Sequence, residues 1–154
     1  MMLLLLSLAL APCKPPADLA CTCTRGAEPH TVAEARRALA LMDVVFTGQV
    51  LHIGYGRDSI HELTMDGDSV WFHSSTLVAT MAVGKVLKGE IPDTVRVETH
   101  VETAACGASL QKGGRYLISG SPVRSRSAVA TSKCSWTRPL AQAGRLLALL
   151  RRTR

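Results

Sequence analysis

Two cysteines one residue apart, Cys21 and Cys23 in the stretch CTCT, constrain this chain more than any other feature. In an extended segment their side chains project to one face and that of Thr22 to the other. Same-face thiols so close together reach two different partners, and the body of the chain offers two, Cys106 in TAACGASL and Cys134 in TSKCSW. Spacing is compatible with either pairing of the four. As disulfides, each would close a long loop, for on the order of 4–5 kcal/mol apiece in chain entropy. A four-thiolate zinc site is the rival. Structural zinc usually draws on paired Cys-x₂₋₄-Cys knuckles, whereas Cys106 and Cys134 stand alone.

The count of five cysteines is odd, and the fifth, Cys13, falls next to an apolar run, MMLLLLSLALAP. That run is too short to span a bilayer and reads as the core of a secretory signal, with the small Ala20 before Cys21. The run carries no Lys or Arg ahead of it, and Asp18 stands three positions before the cut, so an apolar tail on an intracellular protein is the other reading. With residues 1–20 removed as a leader, an even four cysteines remain in a domain spanning residues 21–154. Export to an extracellular or periplasmic location then supplies the oxidising conditions under which they pair.

A hydrophobic content of 47% against 19% charged residues describes a folded chain, and 154 residues suffice for one real core. The net charge of +6 is spread along the sequence, with small clusters at Arg36-Arg37 and Arg151-Arg152-Arg154. Aromatics are 4%, and no basic element is interleaved with them, which argues against nucleic acid as a partner.

Thr31-Val32-Ala33-Glu34 is a capping box leading into a helix of about ten residues, with Val32, Ala35, Leu39 and Met42 as its apolar stripe. A β-branched strand over 43–53 follows, with Gly48 as its bend. Residues 54–69 read as a long exposed connection, or a hairpin with Asp66-Gly67 at its tip. Further strands are expected over 70–86 (bent at Gly84), 94–100 with one face in the core, 115–120 and 127–131. A last helix from Pro139 to Arg152 places Leu140, Ala143, Leu147 and Leu150 on one side. The fold class is mainly β: five strands with one helix before the first and one after the last, compatible with a five-stranded OB-fold barrel or with a sandwich.

Catalytic patterns are missing. There is no GxSxG, no Walker loop and no HExxH, since His61-Glu62 lacks a second histidine four positions on. His30, His52, His61, His73 and His100 show no ligand spacing, and Asp66-Gly67-Asp68 lacks the rest of an EF-hand. No histidine stands in an interpretable relation to a cysteine nucleophile, so the chain is expected not to be an enzyme and to carry no cofactor.

The order of features resembles the amino-terminal, inhibitory domain of the tissue inhibitors of metalloproteinases. The matching pieces are the CTC stretch, Asp43-Val44-Val45-Phe46, Lys85-Val86-Leu87-Lys88-Gly89, Thr103-Ala104-Ala105-Cys106-Gly107-Ala108-Ser109-Leu110, Gly113-Gly114-Arg115-Tyr116-Leu117-Ile118-Ser119-Gly120, and Cys134 before the last helix. The run from CGxSL to GGxYLIxG is the most specific. The resemblance implies an OB-fold barrel with the pairing Cys21–Cys106 and Cys23–Cys134. The chain departs from the full pattern in having no cysteine between Cys23 and Cys106 for a third bridge, and reads as a minimal, single-domain form.

By the same resemblance the chain is a secreted, monomeric inhibitor whose partner is a zinc metalloprotease catalytic domain. Cys21, as residue one, would chelate the target's zinc through its amine and carbonyl oxygen. Thr22 would enter the adjacent specificity pocket. Cys23, Thr24 and Thr103-Ala104-Ala105 would flank the cleft, and the connection 54–69 would add a second contact. The zinc belongs to the target. The competing reading takes Leu10-Ala11-Pro12-Cys13 as an imperfect lipobox: lipidation at Cys13 would leave Cys21 internal, and the protein would be a membrane-anchored or secreted OB-fold binding module with structural bridges and no inhibitory activity.

Overall fold

The computed structural model describes residues 21, 23, 28–56, 59–65, 68–102, 106–123 and 127–153, with the side chains of 59–65 and 68–74 left aside. The chain runs α1 (Val32–Ala40), β1 (Val44–Tyr55), β2 (Ser59–Met65), β3 (Asp68–Ser74), β4 (Thr76–Lys88), β5 (Thr94–His100), β6 (Arg115–Val123), β7 (Ala128–Ala130), β8 (Arg138–Pro139), a 3₁₀ turn over Leu140–Gln142, and α2 (Gly144–Arg151). It is mainly β, with a six-stranded sheet, a separate two-stranded ribbon, one helix before the first strand and one after the last.

The sheet is ordered β1-β4-β5-β7-β6-β8, and β1 also pairs with β6, so the pairings return to the strand on which they began. All are antiparallel except β5 with β7, where Arg96, Val97 and Glu98 lie beside Ala128, Val129 and Ala130 in parallel. Over residues 44–49, β1 has β6 on one edge and β4 on the other, and its register with β4 shifts at three places. One shift lies between Thr47 and Gly48. Such bulges bend a strand and raise its twist. A Cβ at Gly48 would sit 2.8 Å from the Ala82 carbonyl oxygen, so the expected bend falls on a residue with no side chain.

This closed circuit explains why Val44, Val45 and Phe46 are all buried. Alternate residues on a strand face opposite ways. Phe46 and Ile118 join Val50, Met81, Val97 and Val129 in one cluster. Val45 and Leu117 face the other way, into a second cluster with Ala35, Trp136, Ala143, Leu146, Leu147 and Leu150. The helices cover that outer face.

Helix α1 begins as its sequence dictates. Thr31 accepts a hydrogen bond from the Glu34 amide at 3.2 Å, and Glu34 Oε2 accepts from the Thr31 and His30 amides at 3.3 and 2.8 Å. At its other end Lys88 Nζ donates to the carbonyl oxygens of Leu39 and Ala40, at 2.8 and 2.7 Å. A cation there satisfies carbonyls the helix leaves open and complements its dipole.

Three expectations change and one is narrowed. The segment 70–86 is two strands with Ser75 between them: β3 pairs with β2, while β4 pairs with β1 and β5. Of the two readings of 54–69, the pairing supports the hairpin: residues 59–65 form β2, antiparallel to β3 with Met65 opposite Asp68, while Gly54 and Tyr55 extend β1; the tip Asp66-Gly67 lies outside the described residues. Strand β5 alternates only as far as Val97, since Glu98 and Thr99 are both buried. The last helix starts at Gly144, because Pro139 is held extended (φ −52°, ψ 138°) opposite Tyr116 in β8 and a 3₁₀ turn intervenes. Leu146 joins the expected Ala143, Leu147 and Leu150 in burial, while Leu140 is only partly buried.

Candidate functional site

The site is built where the connection after β5 and the connection after β7 meet the amino-terminal cysteines. Thr99 Oγ1, buried at the end of β5, accepts from the Ala108 amide at 2.8 Å. The Gly107 amide donates to the Glu102 carbonyl oxygen at 3.0 Å. Between these ties Cys106 adopts a left-handed backbone conformation, φ 63°, sparsely populated by residues other than glycine. Gly107 is buried, and a Cβ on it would sit against the backbone oxygens of His100 and Glu102.

The second connection is pinned by hydroxyls. Buried Ser119 on β6, Ser135 and Thr137 form a network with the half-buried Thr131: Thr131 Oγ1 donates to the Ser119 carbonyl oxygen at 2.7 Å, Ser135 Oγ donates to the Ser132 carbonyl oxygen at 2.6 Å, and the Trp136 amide donates to Ser119 Oγ at 2.9 Å. Buried polar groups of this kind hold only one arrangement well, because a lost partner is costly. The Lys133 amide then donates to the Cys106 carbonyl oxygen at 2.9 Å and ties the two connections together.

Onto this platform the two bridges fasten Cys21 and Cys23. Disulfides join Cys21 to Cys106 and Cys23 to Cys134, with Cα separations of 5.2 and 5.1 Å. Cys21 is half-buried and Cys23 exposed, and the bridges touch, with Cys21 Sγ 3.5 Å from Cys134 Sγ. The sulfurs of Cys21, Cys106 and Cys134 lie within 4.8 Å of one another, the spacing a metal could use. In bridged form they offer no thiolate, and the four-thiolate zinc arrangement gives way to two disulfides. Paired cysteines of this kind belong to an oxidising, extracellular-type compartment. Among the described residues no helix is long and apolar enough to cross a membrane.

Thr22, Thr24, Thr103, Ala104 and Ala105, together with residues 1–20 and so Cys13, lie outside the described residues. Of the expected site residues, Cys21 and Cys23 are brought to the same two connections, and Val101, Glu102 and Cys106 flank the segment 103–105. Unanticipated were the ties that hold the chain just after the cysteines. Glu28 pairs with Arg138 Nη1 at 2.8 Å, and His30 Nδ1 lies 3.0 Å from Arg145 Nη2. Nothing local marks those pairs, since the partners are more than a hundred residues apart. The hydroxyl network did have a signal, the run Thr131-Ser132-Lys133-Cys134-Ser135-Trp136-Thr137, which is rich in short donors around a cysteine. Next to the hydroxyl network a cleft of about 290 Å³ is lined by Leu41, Asp43, Ser121, Thr131, Ser132 and Ser135.

Among the described residues Glu34 is the one group whose acidity is clearly displaced: the His30 amide hydrogen bond, chiefly, holds its carboxyl below the usual range against an opposing desolvation, with the Thr31 amide and the charges of His30 and Arg37 adding to the lowering. No protein-family model matches the chain, and no curated protein matches it.

Proposed function

We propose that this chain is a secreted inhibitor of zinc metalloproteases, acting as a monomer through an amino terminus that begins at Cys21. The observation that carries the reading is the double fastening of Cys21 and Cys23, one residue apart, onto two hydrogen-bonded connections. The return of the strand pairings to β1, with the parallel β5–β7 pair, supports a five-stranded OB-type barrel beneath that platform.

The chemistry follows from the open coordination position of a catalytic zinc, which holds three protein ligands and a water. Cys21, freed at its amine, offers the α-nitrogen and its own carbonyl oxygen, two atoms that expel the water and occupy the metal. Thr22 enters the neighbouring specificity pocket, and Thr24 and Thr103-Ala104-Ala105 flank the cleft. The protein brings no metal or cofactor and turns nothing over. The bridges keep the wedge rigid, so little conformational freedom is lost on binding.

The test begins with intact mass and amino-terminal sequencing of the exported protein. A chain starting at Cys21 with a free amine supports the inhibitor; a lipidated Cys13 with Cys21 internal replaces it with an anchored binding module. Against a panel of zinc endopeptidases, one alanine added ahead of Cys21 is expected to abolish inhibition while leaving the circular dichroism spectrum unchanged. Only a neutral amine ligates, and with a reference pKa near 7.7–8.0 inhibition should weaken by about 40-fold from pH 8 to pH 6 against a target active at both. Constant potency across that range would remove amine chelation as the mechanism.

A further inference from the structure

The two basic pairs that are far apart in the sequence, Arg36-Arg37 and Arg151-Arg152, meet on one layer of the fold. Helices α1 and α2 pack on each other and bury their apolar sides in the same cluster, with Val45 and Leu117 beneath them. The exposed charged side chains on the two helices are all cationic. Arg36, Arg37, Arg145, Arg151 and the capping Arg152 are all exposed. The two helices contain one carboxylate, Glu34, and its Oε2 is engaged by the amides of His30 and Thr31. Neither ion pair found among the described residues involves these five arginines; Arg145 Nη2 lies 3.0 Å from His30 Nδ1, and Arg37 acts on Glu34 only through its charge. One turn beyond Arg37, on the same side of α1, Leu41 is 87% exposed, the most exposed large apolar side chain among the described residues.

We propose that this two-helix face is a docking surface for a lipid bilayer carrying anionic headgroups. Charge complementarity names an anionic partner, and the arginine forks match phosphate oxygens in pairs. Leu41 chooses among anionic partners. A sulfated polysaccharide or a nucleic-acid backbone gains nothing from a bare leucine, and no aromatic accompanies the arginines to stack on bases. The headgroup–acyl boundary takes both: guanidinium groups at the phosphates, an apolar side chain below them. The attachment is peripheral and reversible, and it does not rest on the inhibitor reading.

Sedimentation of the whole protein with phosphatidylcholine vesicles, with and without phosphatidylglycerol, tests it. Binding is expected only to the anionic vesicles and should fall steeply as salt shortens the screening length. Each arginine near such a surface contributes about fivefold, so R36Q/R37Q and R151Q/R152Q should each weaken partitioning by about 25-fold. Leu41→Ser should weaken it severalfold by an amount that salt does not change. Arg96→Gln on β5, a strand absent from the helix-packed cluster, removes a single positive charge that faces Glu98 and should change partitioning by far less than the fivefold of one helix arginine. Thermal unfolding of each variant confirms that the fold is retained. Equal binding to neutral vesicles, no vesicle binding, retention on heparin without vesicle binding, or an Arg96→Gln effect as large as that of the helix variants would each overturn the assignment.

Discussion

At position 107 a Cβ would press on the backbone oxygens of His100 and Glu102, and backbone, unlike a flexible side chain, cannot step aside cheaply. Gly107→Ala is therefore expected to destabilise by about 1–3 kcal/mol in urea unfolding and to loosen the Cys106 connection. An ordinary loop glycine would tolerate the change. The glycine itself was visible in the CGxSL run. Its reason was not, because the crowding oxygens belong to the end of β5 and to a turn that only the folded connection brings around. The same holds for Ser119 and Thr137, which are ordinary polar residues until Trp136 and Thr131 close over them.

Among elements, α1 was the most legible because its start is decided within four residues. Thr31→Ala removes the side-chain acceptor for the Glu34 amide and should cost about 1 kcal/mol in thermal unfolding. The carboxylate half of the box gives a pH signature. Glu34 is held below its ordinary value of 4.5, so its contribution is fully present above that value and is lost as pH falls through the lower folded value. The difference in melting temperature between the native chain and Glu34→Gln should therefore be constant from neutrality to about pH 5 and shrink in more acid solution. A gap that widened in acid would contradict the assignment. The break at Ser75 was illegible for the opposite reason. Residues 70–86 are rich enough in strand formers to read as one strand, and what divides them is the partner on each side, β2 for β3 and β1 with β5 for β4. Tertiary pairing likewise set the start of α2, where Pro139 serves β8 before any helix can begin.

For the molecule as a whole, the bridges connect the candidate wedge to connections that follow two neighbouring parallel strands, β5 and β7. Replacing either pair, C21S/C106S or C23S/C134S, should cost about 2–5 kcal/mol in denaturant unfolding. If Cys21 is the zinc-directed residue, either replacement should also lower inhibition by more than it lowers stability at the assay temperature. The cysteine spacing showed that four thiols had to converge, yet it left the pairing open, since sequence distance says nothing about which connection lies beside which. The bridged pairs also impose an order on how the protein is made. Cys21 and Cys23 leave the ribosome first, and their partners follow 85 and 111 residues later. Throughout that interval each early thiol has the other as a neighbour, and the Cys23–Cys134 bridge in particular can form only once β7 has been synthesised. The timing of thiol oxidation in the compartment where the chain folds thereby helps determine how much of the protein has its amino-terminal cysteines correctly held.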